Sequence, residues 1–402
     1  MVLVAINYRL NTLGFLALKD GLTNGNYGLA DQITALDWIR ANIASFGGDP
    51  DRITIFGQSA GAGSVRALMA SPKATGKFSG AIPLSNLGGI NYGATYSKYY
   101  TIDEQLDVAG NTILKTTNCT SAPSQVECLR ALPLATLLSA GTARYLVVDG
   151  TYLTTPELLL TGSTLHINLM MGITRDDGGP FIRFPTTANQ IEYLTSQGFE
   201  PPPSSLFPLP STSNATLDLY NASSRLATDG IFRCVDQATA YAGLNSSRFA
   251  RLFYYEFDRT YQTGGWPQTD VCEAPRTPSH PSGDPSLPYF RCHSGELYYV
   301  FGNLARQGRP ERDAGDLPFE QYVLDSFASF IRTGDPNPEM AFLAARGFDN
   351  TLRKVDEEGR WEAMTKGNMR LKVLDWPKGR MEGFREVEQC RGLGLGVEEY
   401  YR

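Results

Sequence analysis

The chain has 402 residues with a formal net charge of −6, and 42% of its residues are hydrophobic. That content is enough to build a substantial core, as one large domain or as two ordinary ones. The acidic balance and the lack of Lys/Arg runs argue against a nucleic-acid or anionic-membrane partner. No apolar run approaches the roughly 18 to 20 residues that span a bilayer, so we expect no integral membrane segment.

Apolar runs and helical periodicities alternate along the chain. Residues 2–6 form a short apolar run of the buried, parallel-strand type, and residues 27–43 carry apolar side chains at helical spacing. Further strands are predicted at 53–56, 81–84, 167–171 and 251–257, and further helices at 102–116 and 319–331. The Pro/Ser-rich stretch 200–214 is either a linker or a surface loop, and a loop is favoured because helical periodicity resumes around 217–232.

The segment Gly57-Gln58-Ser59-Ala60-Gly61 lies between the predicted strand 53–56 and a small-residue helical stretch. This context indicates a strand, a sharp turn and a helix, which together form a nucleophile elbow that projects the Ser59 hydroxyl above the sheet edge. The Ala60 amide at the helix N-terminus is then placed to stabilise an oxyanion. The alternative is a purely structural turn, because the bare pattern G-x-S-x-G also arises by chance.

A serine nucleophile needs a base, which is nearly always histidine, and an acid that orients it. Of three histidines, His166 is typical of a packed or solvated side chain, and His280 lies in a surface-like loop. His293 follows Cys292 in a loop and precedes an apolar helical segment, so it is the candidate base. Asp176 and Asp177 both follow a predicted strand, and either one is the acid or both belong to a solvated acidic turn.

The six cysteines form no Cys-x-x-Cys pair of the metal-binding kind, which favours disulfides. Cys119 and Cys128 are close enough in sequence to close a small loop. The other four allow three connectivities, of which Cys272–Cys292 with Cys234–Cys390 is preferred because it would brace the His293 loop. Four glycosylation sequons favour a secreted protein, although residues 1–9 lack the organisation of a signal peptide; the sequons are Asn118, Asn214, Asn221 and Asn245.

Several segments closely resemble the type-B carboxylesterase/lipase family, which includes cholinesterases and fungal lipases, and the resemblance runs almost to the C-terminus. They are Asn-Tyr-Arg-Leu at 7–10, Gly-Phe-Leu at 14–16, the segment 25–32, Phe-Gly-Gly-Asp-Pro at 46–50 and the elbow at 57–62. The family's histidine motif matches 293–301, its Arg-Thr-Gly-Asp-Pro-Asn segment matches 332–337, and its short disulfide loop matches Cys119 and Cys128.

The resemblance implies an α/β-hydrolase fold, with a mostly parallel sheet flanked by helices in a single domain over residues 1–402. It also implies a serine esterase that uses no metal or cofactor and acts on a small-molecule or lipid ester. The catalytic residues would be Ser59, Asp177 and His293. Asp177 takes the acid role because Asp176-Asp177-Gly178 matches the family's Asp-Glu-Gly motif, with Asp where Glu is usual.

Two departures from the family pattern change what we expect of the substrate and of the sheet. Gln58 replaces the Glu that precedes the nucleophile in cholinesterases, which makes a cationic choline ester less favourable. The family's Gly-Gly oxyanion loop and the strand before it precede the Asn-Tyr-Arg segment, and neither is found in this sequence. We therefore expect a gap in the sheet between 2–6 and 53–56. We also expect the sequence to be a fragment whose full form carries a signal peptide and is secreted.

Two rival functions stay open: a non-catalytic interaction module of the same fold, and an amidase or peptidase that shares the acyl-transfer chemistry. Three aromatic residues either line the active-site gorge or belong to the core; these are Phe181, Tyr261 and Trp266.

Overall fold

The centre of the molecule is a six-stranded sheet with its strands in chain order. The computed structural model describes residues 1–262 and 270–398. Neighbouring strands from β1 to β5 run parallel, and β6 runs antiparallel to β5. The strands are β1 (Thr54–Gln58), β2 (Gly80–Leu84), β3 (Asn168–Thr174), β4 (Arg251–Phe257), β5 (Arg370–Leu374) and β6 (Arg380–Gly383).

Helices and turns flank this sheet and connect its strands. Those before β3 are α1 (Asn11–Phe15), α2 (Tyr27–Asn42), α3 (Ala60–Ala70), α4 (Gly93–Tyr96), α5 (Ile102–Gln105), α6 (Asn111–Thr116), α7 (Gln125–Arg130) and α8 (Leu134–Ser139). Those after β3 are α9 (Gln190–Ser196), α10 (Ala215–Thr228), α11 (Cys234–Asn245), α12 (Leu297–Phe301), α13 (Asp316–Thr333), α14 (Met340–Arg346), α15 (Asp349–Glu358) and α16 (Val387–Gly392). Together they give the α/β-hydrolase fold, as predicted.

Strands β2, β3 and β4 are buried on both faces, which explains why they are nearly continuous apolar runs. Along β3, Leu169 and Met171 belong to one apolar cluster, which includes residues of α2 and α3. Met170 belongs to a second cluster on the other face, together with Phe319 and Phe327 of α13. The alternation follows from the two-residue period of a strand, and it fixes the register of the sheet between two layers of helices.

Most predicted elements are confirmed, with small changes at their ends. The predicted helix 102–116 forms in three pieces, because a π-helical turn at Leu106–Gly110 separates α5 from α6. Residues 200–214 form a loop, as favoured from their composition. Strands β5 and β6 were not predicted from the sequence.

The predicted strand at residues 2–6 is wrong. This segment forms no strand, and its apolar side chains are exposed, with Leu3 63% accessible. A cavity of about 770 Å³ is lined both by this segment and by β1, which is the edge strand of the sheet in the described residues. An apolar run forms a strand only where a neighbouring strand pairs with its backbone. Residues 2–6 and β1 line the same cavity but do not pair with each other.

Three disulfides link parts of the chain, in the pairing that the sequence analysis preferred. Cys119–Cys128 closes the loop between α6 and α7, and Cys234–Cys390 joins α11 to α16. Cys272–Cys292 ends one residue before His293. Among the helices of residues 1–262 and 270–398, none combines the length and the apolar character needed to cross a bilayer.

Candidate active site

Ser59 occupies a strained turn between a strand and a helix. It lies between the end of β1 and the start of α3, with φ 60° and ψ −121°. A positive φ is costly for a residue with a Cβ atom and is typical of functional turns. Gly57 makes the turn possible, because a Cβ there would lie 2.4 Å from the Gly61 carbonyl oxygen. The strand–turn–helix context predicted for Ser59 is therefore present.

The first residue of α3 is Ala60, directly after the predicted nucleophile. The first amides of a helix have no partner within the helix and carry the positive end of its dipole. The Ala60 N–H is one of these groups. A negative charge that develops on an atom bound to Ser59 would be favoured at this end of the helix.

His293 and Asp177 meet at the carboxyl edge of the sheet, where Asp177 follows β3 by three residues. His293 Nδ1 lies 2.5 Å from Asp177 Oδ1, and both side chains are buried. The other carboxylate oxygen of Asp177 accepts the Thr174 backbone N–H at 3.0 Å. These two contacts fix the carboxylate and the orientation of the ring.

Asp176, the other candidate acid, has different partners. Its Oδ2 accepts hydrogen bonds from the Arg175 guanidinium at 2.8 Å and from the Arg291 backbone N–H at 2.8 Å. These bonds tie Asp176 to the loop that carries His293 without contact to the imidazole. The two adjacent aspartates therefore separate into one that contacts the histidine and one that contacts arginine.

The His293 ring is enclosed by aromatic and polar neighbours. The ring centroids of Phe181 and Phe232 lie 5.0 Å and 5.1 Å from that of His293. On the second ring nitrogen, Gln58 Nε2 lies 2.9 Å from His293 Nε2. Gln58 directly precedes Ser59, so this nitrogen faces the elbow. From the sequence, Gln58 is notable only for its missing charge, although its position next to the predicted nucleophile could have indicated a contact with the base.

A buried acidic residue lies near this pair. Burial, with a smaller contribution from the charge of Asp177, raises the pKa of Glu296 to about 8. Glu296 is only 1% exposed. Burial also raises the pKa of Asp236 well above its ordinary value, against the opposing charge of Arg66. At neutral pH Glu296 is therefore protonated and adds no negative charge beside Asp177.

The remaining predicted residues that the structure describes lie outside this cluster. His166 is exposed, and His280 pairs with Asp284 at 3.2 Å. Tyr261 is buried in the second apolar cluster, and its hydroxyl donates to the Pro310 carbonyl at 2.8 Å. Trp266 lies outside the described residues. All four sequon asparagines are exposed; they are Asn118, Asn214, Asn221 and Asn245.

Comparison with known proteins places these features in a family. The profile of the Carboxylesterase family matches residues 1–201 and 209–391. The chain is 29% identical to human neuroligin-2 over 84% of its length and 41% of that protein. It is also 29% identical to human cocaine esterase, over 84% of this chain and 60% of that protein. The chain thus spans about half the length of these two relatives.

A solved structure of PNB esterase superimposes on the chain with a TM-score of 0.68 and 25% sequence identity. The superposition covers 96% of this chain and 73% of that one. The strand order, the elbow and the family profile agree with one another. The chain is therefore a member of the carboxylesterase family and has the α/β-hydrolase fold.

Proposed function

We propose that this protein hydrolyses carboxylic esters through an acyl-enzyme, with Ser59 as nucleophile, His293 as general base and Asp177 as the acid that orients the base. The observation that carries the proposal is the placement of His293. One of its nitrogens is held by Asp177 at 2.5 Å, and the other lies 2.9 Å from the side chain of the residue before Ser59.

The chemistry follows from these positions. Because the Asp177 carboxylate only accepts hydrogen bonds, it favours the tautomer with the proton on Nδ1, so Nε2 carries the lone pair that can accept a proton. Ser59 Oγ attacks the ester carbonyl carbon and passes its proton to Nε2, and the Ala60 N–H stabilises the oxyanion. The bond to the alcohol oxygen then breaks, and that oxygen takes the proton from Nε2. Water repeats the cycle on the acyl-serine and releases the acid.

The walls of the site favour an ester with an apolar part. Phe181 and Phe232 pack against the base and give the site an apolar surface beside it. Gln58 adds no negative charge, so nothing at this position attracts a cationic alcohol. The names of two relatives, cocaine esterase and bile salt-activated lipase, agree with a small-molecule or lipid ester as substrate.

Three further expectations belong to this proposal. Residues 1–402 act as one hydrolase domain, since a single sheet uses strands from both halves of the chain. The protein is secreted, which its three disulfides support. The sequon asparagines are exposed and accessible to glycosylation.

A non-catalytic interaction module is the second candidate, because neuroligin-2 is among the relatives and its name indicates no hydrolysis. Hydrolysis of p-nitrophenyl butyrate by the purified chain, compared with butyryl p-nitroanilide, separates the candidates. Ester turnover that is lost in Ser59→Ala supports the esterase, and faster turnover of the amide supports an amidase. A folded protein with no turnover of either substrate would support the interaction module.

A further inference from the structure

The side chain of Gln58 contacts the nitrogen of His293 that the proposed mechanism uses to accept a proton. Gln58 is the last residue of β1, and its Nε2 lies 2.9 Å from His293 Nε2. An amide nitrogen can only donate hydrogen bonds. The contact is therefore satisfied only when His293 Nε2 carries no proton and accepts.

The tautomer of the ring agrees with this direction. Nδ1 faces the Asp177 carboxylate, which only accepts, so the ring proton of neutral His293 resides on Nδ1. The ring is 2% exposed and packs against both Phe181 and Phe232, which opposes a flip that would exchange the two nitrogens. Nε2 therefore presents its lone pair to Gln58.

An imidazole nitrogen has one lone pair, which lies in the ring plane, so it accepts only one well-aligned hydrogen bond. The Gln58 amide and the Ser59 hydroxyl come from adjacent residues and compete for it. We propose that Gln58 is a positioning residue that occupies the proton-accepting nitrogen of His293 in the resting protein and releases it before Ser59 is deprotonated. This inference rests on the proposed function.

The same contact makes Gln58 sensitive to the charge of the ring. When His293 Nε2 gains a proton, it becomes a donor, and the Gln58 amide must turn to offer its oxygen. The acidic groups around the pair are Asp177, directly on the ring, with Glu296, Asp236 and Tyr255 electrostatically linked to Asp177. A carboxylate in place of Gln58 would add a second acceptor on the opposite side of the ring and favour the imidazolium.

Two variants separate these effects. Gln58→Met keeps the length and volume of the side chain but removes the donor, and Gln58→Glu replaces the donor with a charged acceptor. Gln32→Met is a control, because Gln32 also donates a side-chain hydrogen bond, to Ser64 on the neighbouring helix at 3.2 Å, away from the His293 ring. The rate of fluorophosphonate labelling at Ser59 is measured against pH for the full chain and each variant.

We expect Gln58→Met to be labelled about five times faster than the parent chain, the factor that corresponds to a competing hydrogen bond of about 1 kcal/mol. Gln58→Glu is expected to move the acid limb of the pH–rate profile upward by roughly one pH unit. Gln32→Met is expected to leave the labelling rate and the pH–rate profile unchanged. Equal or slower labelling of Gln58→Met, with an unmoved profile in Gln58→Glu, would overturn the proposal.

A second measurement does not depend on turnover. Nitrogen-15 NMR of the three histidine rings, with His293 assigned by His293→Gln, reports whether Nε2 accepts a hydrogen bond. The proposal predicts a signal shift at His293 Nε2 in Gln58→Met, with His166 and His280 unchanged. If no protein is labelled but this shift occurs, the esterase proposal fails while the contact of Gln58 stands. If the His293 signals are the same in both proteins, the role of Gln58 is disproved.

Discussion

Asp177 Oδ1 lies 2.5 Å from His293 Nδ1, across 116 residues of chain, whereas the adjacent Asp176 accepts hydrogen bonds from Arg175 and Arg291. The difference makes the two aspartates a natural pair for mutation. Asp177→Asn should lower kcat by about 10³- to 10⁴-fold, because an amide no longer enforces the proton on Nδ1. Asp176→Asn should keep kcat within about threefold of the parent, since Asp176 does not contact the imidazole and an amide oxygen can still accept hydrogen bonds from Arg175 and Arg291.

Steady-state hydrolysis of p-nitrophenyl butyrate measures both effects, and thermal melting checks that each variant is folded. A folded Asp176→Asn protein that loses as much activity as Asp177→Asn would show that the role has been given to the wrong residue.

The two glycines of the elbow should respond differently to alanine. In Gly57→Ala the new Cβ would lie 2.4 Å from the Gly61 carbonyl oxygen, so α3 must move relative to β1. In Gly61→Ala the new Cβ meets nothing within 4 Å, and helix propensity favours alanine by up to about 1 kcal/mol. We expect Gly57→Ala to lower the melting temperature and Gly61→Ala to leave it equal or higher, as calorimetry can measure. The reverse order would mean that the turn is not packed as described.

Removing Cys272–Cys292 should damage activity more than removing Cys119–Cys128. The loops that the two disulfides close span 20 and 9 residues, so in the chain-entropy account each bond contributes about 3 kcal/mol of stability. Only Cys292 adjoins His293. With both cysteines of a pair changed to alanine, we expect similar losses of stability but a lower kcat only in the Cys272/Cys292 variant. Equal kcat values would show that this bond does not hold the His293 loop.

Glu296 should make the protein less stable as the pH rises. Its pKa is about 8 in the folded protein against 4.5 when unperturbed, so between these values the unfolded state binds fewer protons than the native state. The stability contribution of protonated Glu296 is therefore lost as pH rises from 4.5 to 8, by an amount on the order of a few kcal/mol.

Glu296→Gln removes this titration, so its melting temperature should fall less than that of the parent between pH 5 and pH 8. The exposed Glu357→Gln serves as the control and should follow the parent. Parallel pH profiles for the parent and Glu296→Gln would contradict the raised pKa.

Local sequence patterns predicted the parts of the fold whose partners lie nearby or whose burial is complete. The elbow at Ser59 was predictable because a short apolar strand, small residues and a helix adjoin it directly. The prediction of a strand at residues 2–6 failed because the apolar character of a segment does not show whether a neighbouring strand is present to pair with it. Strand β5 was missed because its buried Lys372, which pairs with Glu358 at 2.7 Å, hides its apolar pattern.

In the candidate site too, local features could be predicted from the sequence, whereas contacts with distant residues could not. Their position after a strand makes both Asp176 and Asp177 candidates for the acid, but spacing alone does not choose between them. Asp176 is held by arginines, and one of these, Arg291, is 115 residues away in sequence. The contact between Gln58 and His293 was equally invisible, because it joins residues 235 positions apart. For the aspartates, the family resemblance had already favoured Asp177, whereas the Gln58 contact became apparent only in the folded arrangement.

The most direct test of the proposed triad is fluorophosphonate labelling of the purified chain, followed by mass mapping of the modified peptide. The proposal predicts stoichiometric modification of Ser59 that is lost in His293→Ala. Labelling at a different serine, labelling of Ser59 that persists undiminished in His293→Ala, or no labelling of a chain that melts cooperatively would contradict it.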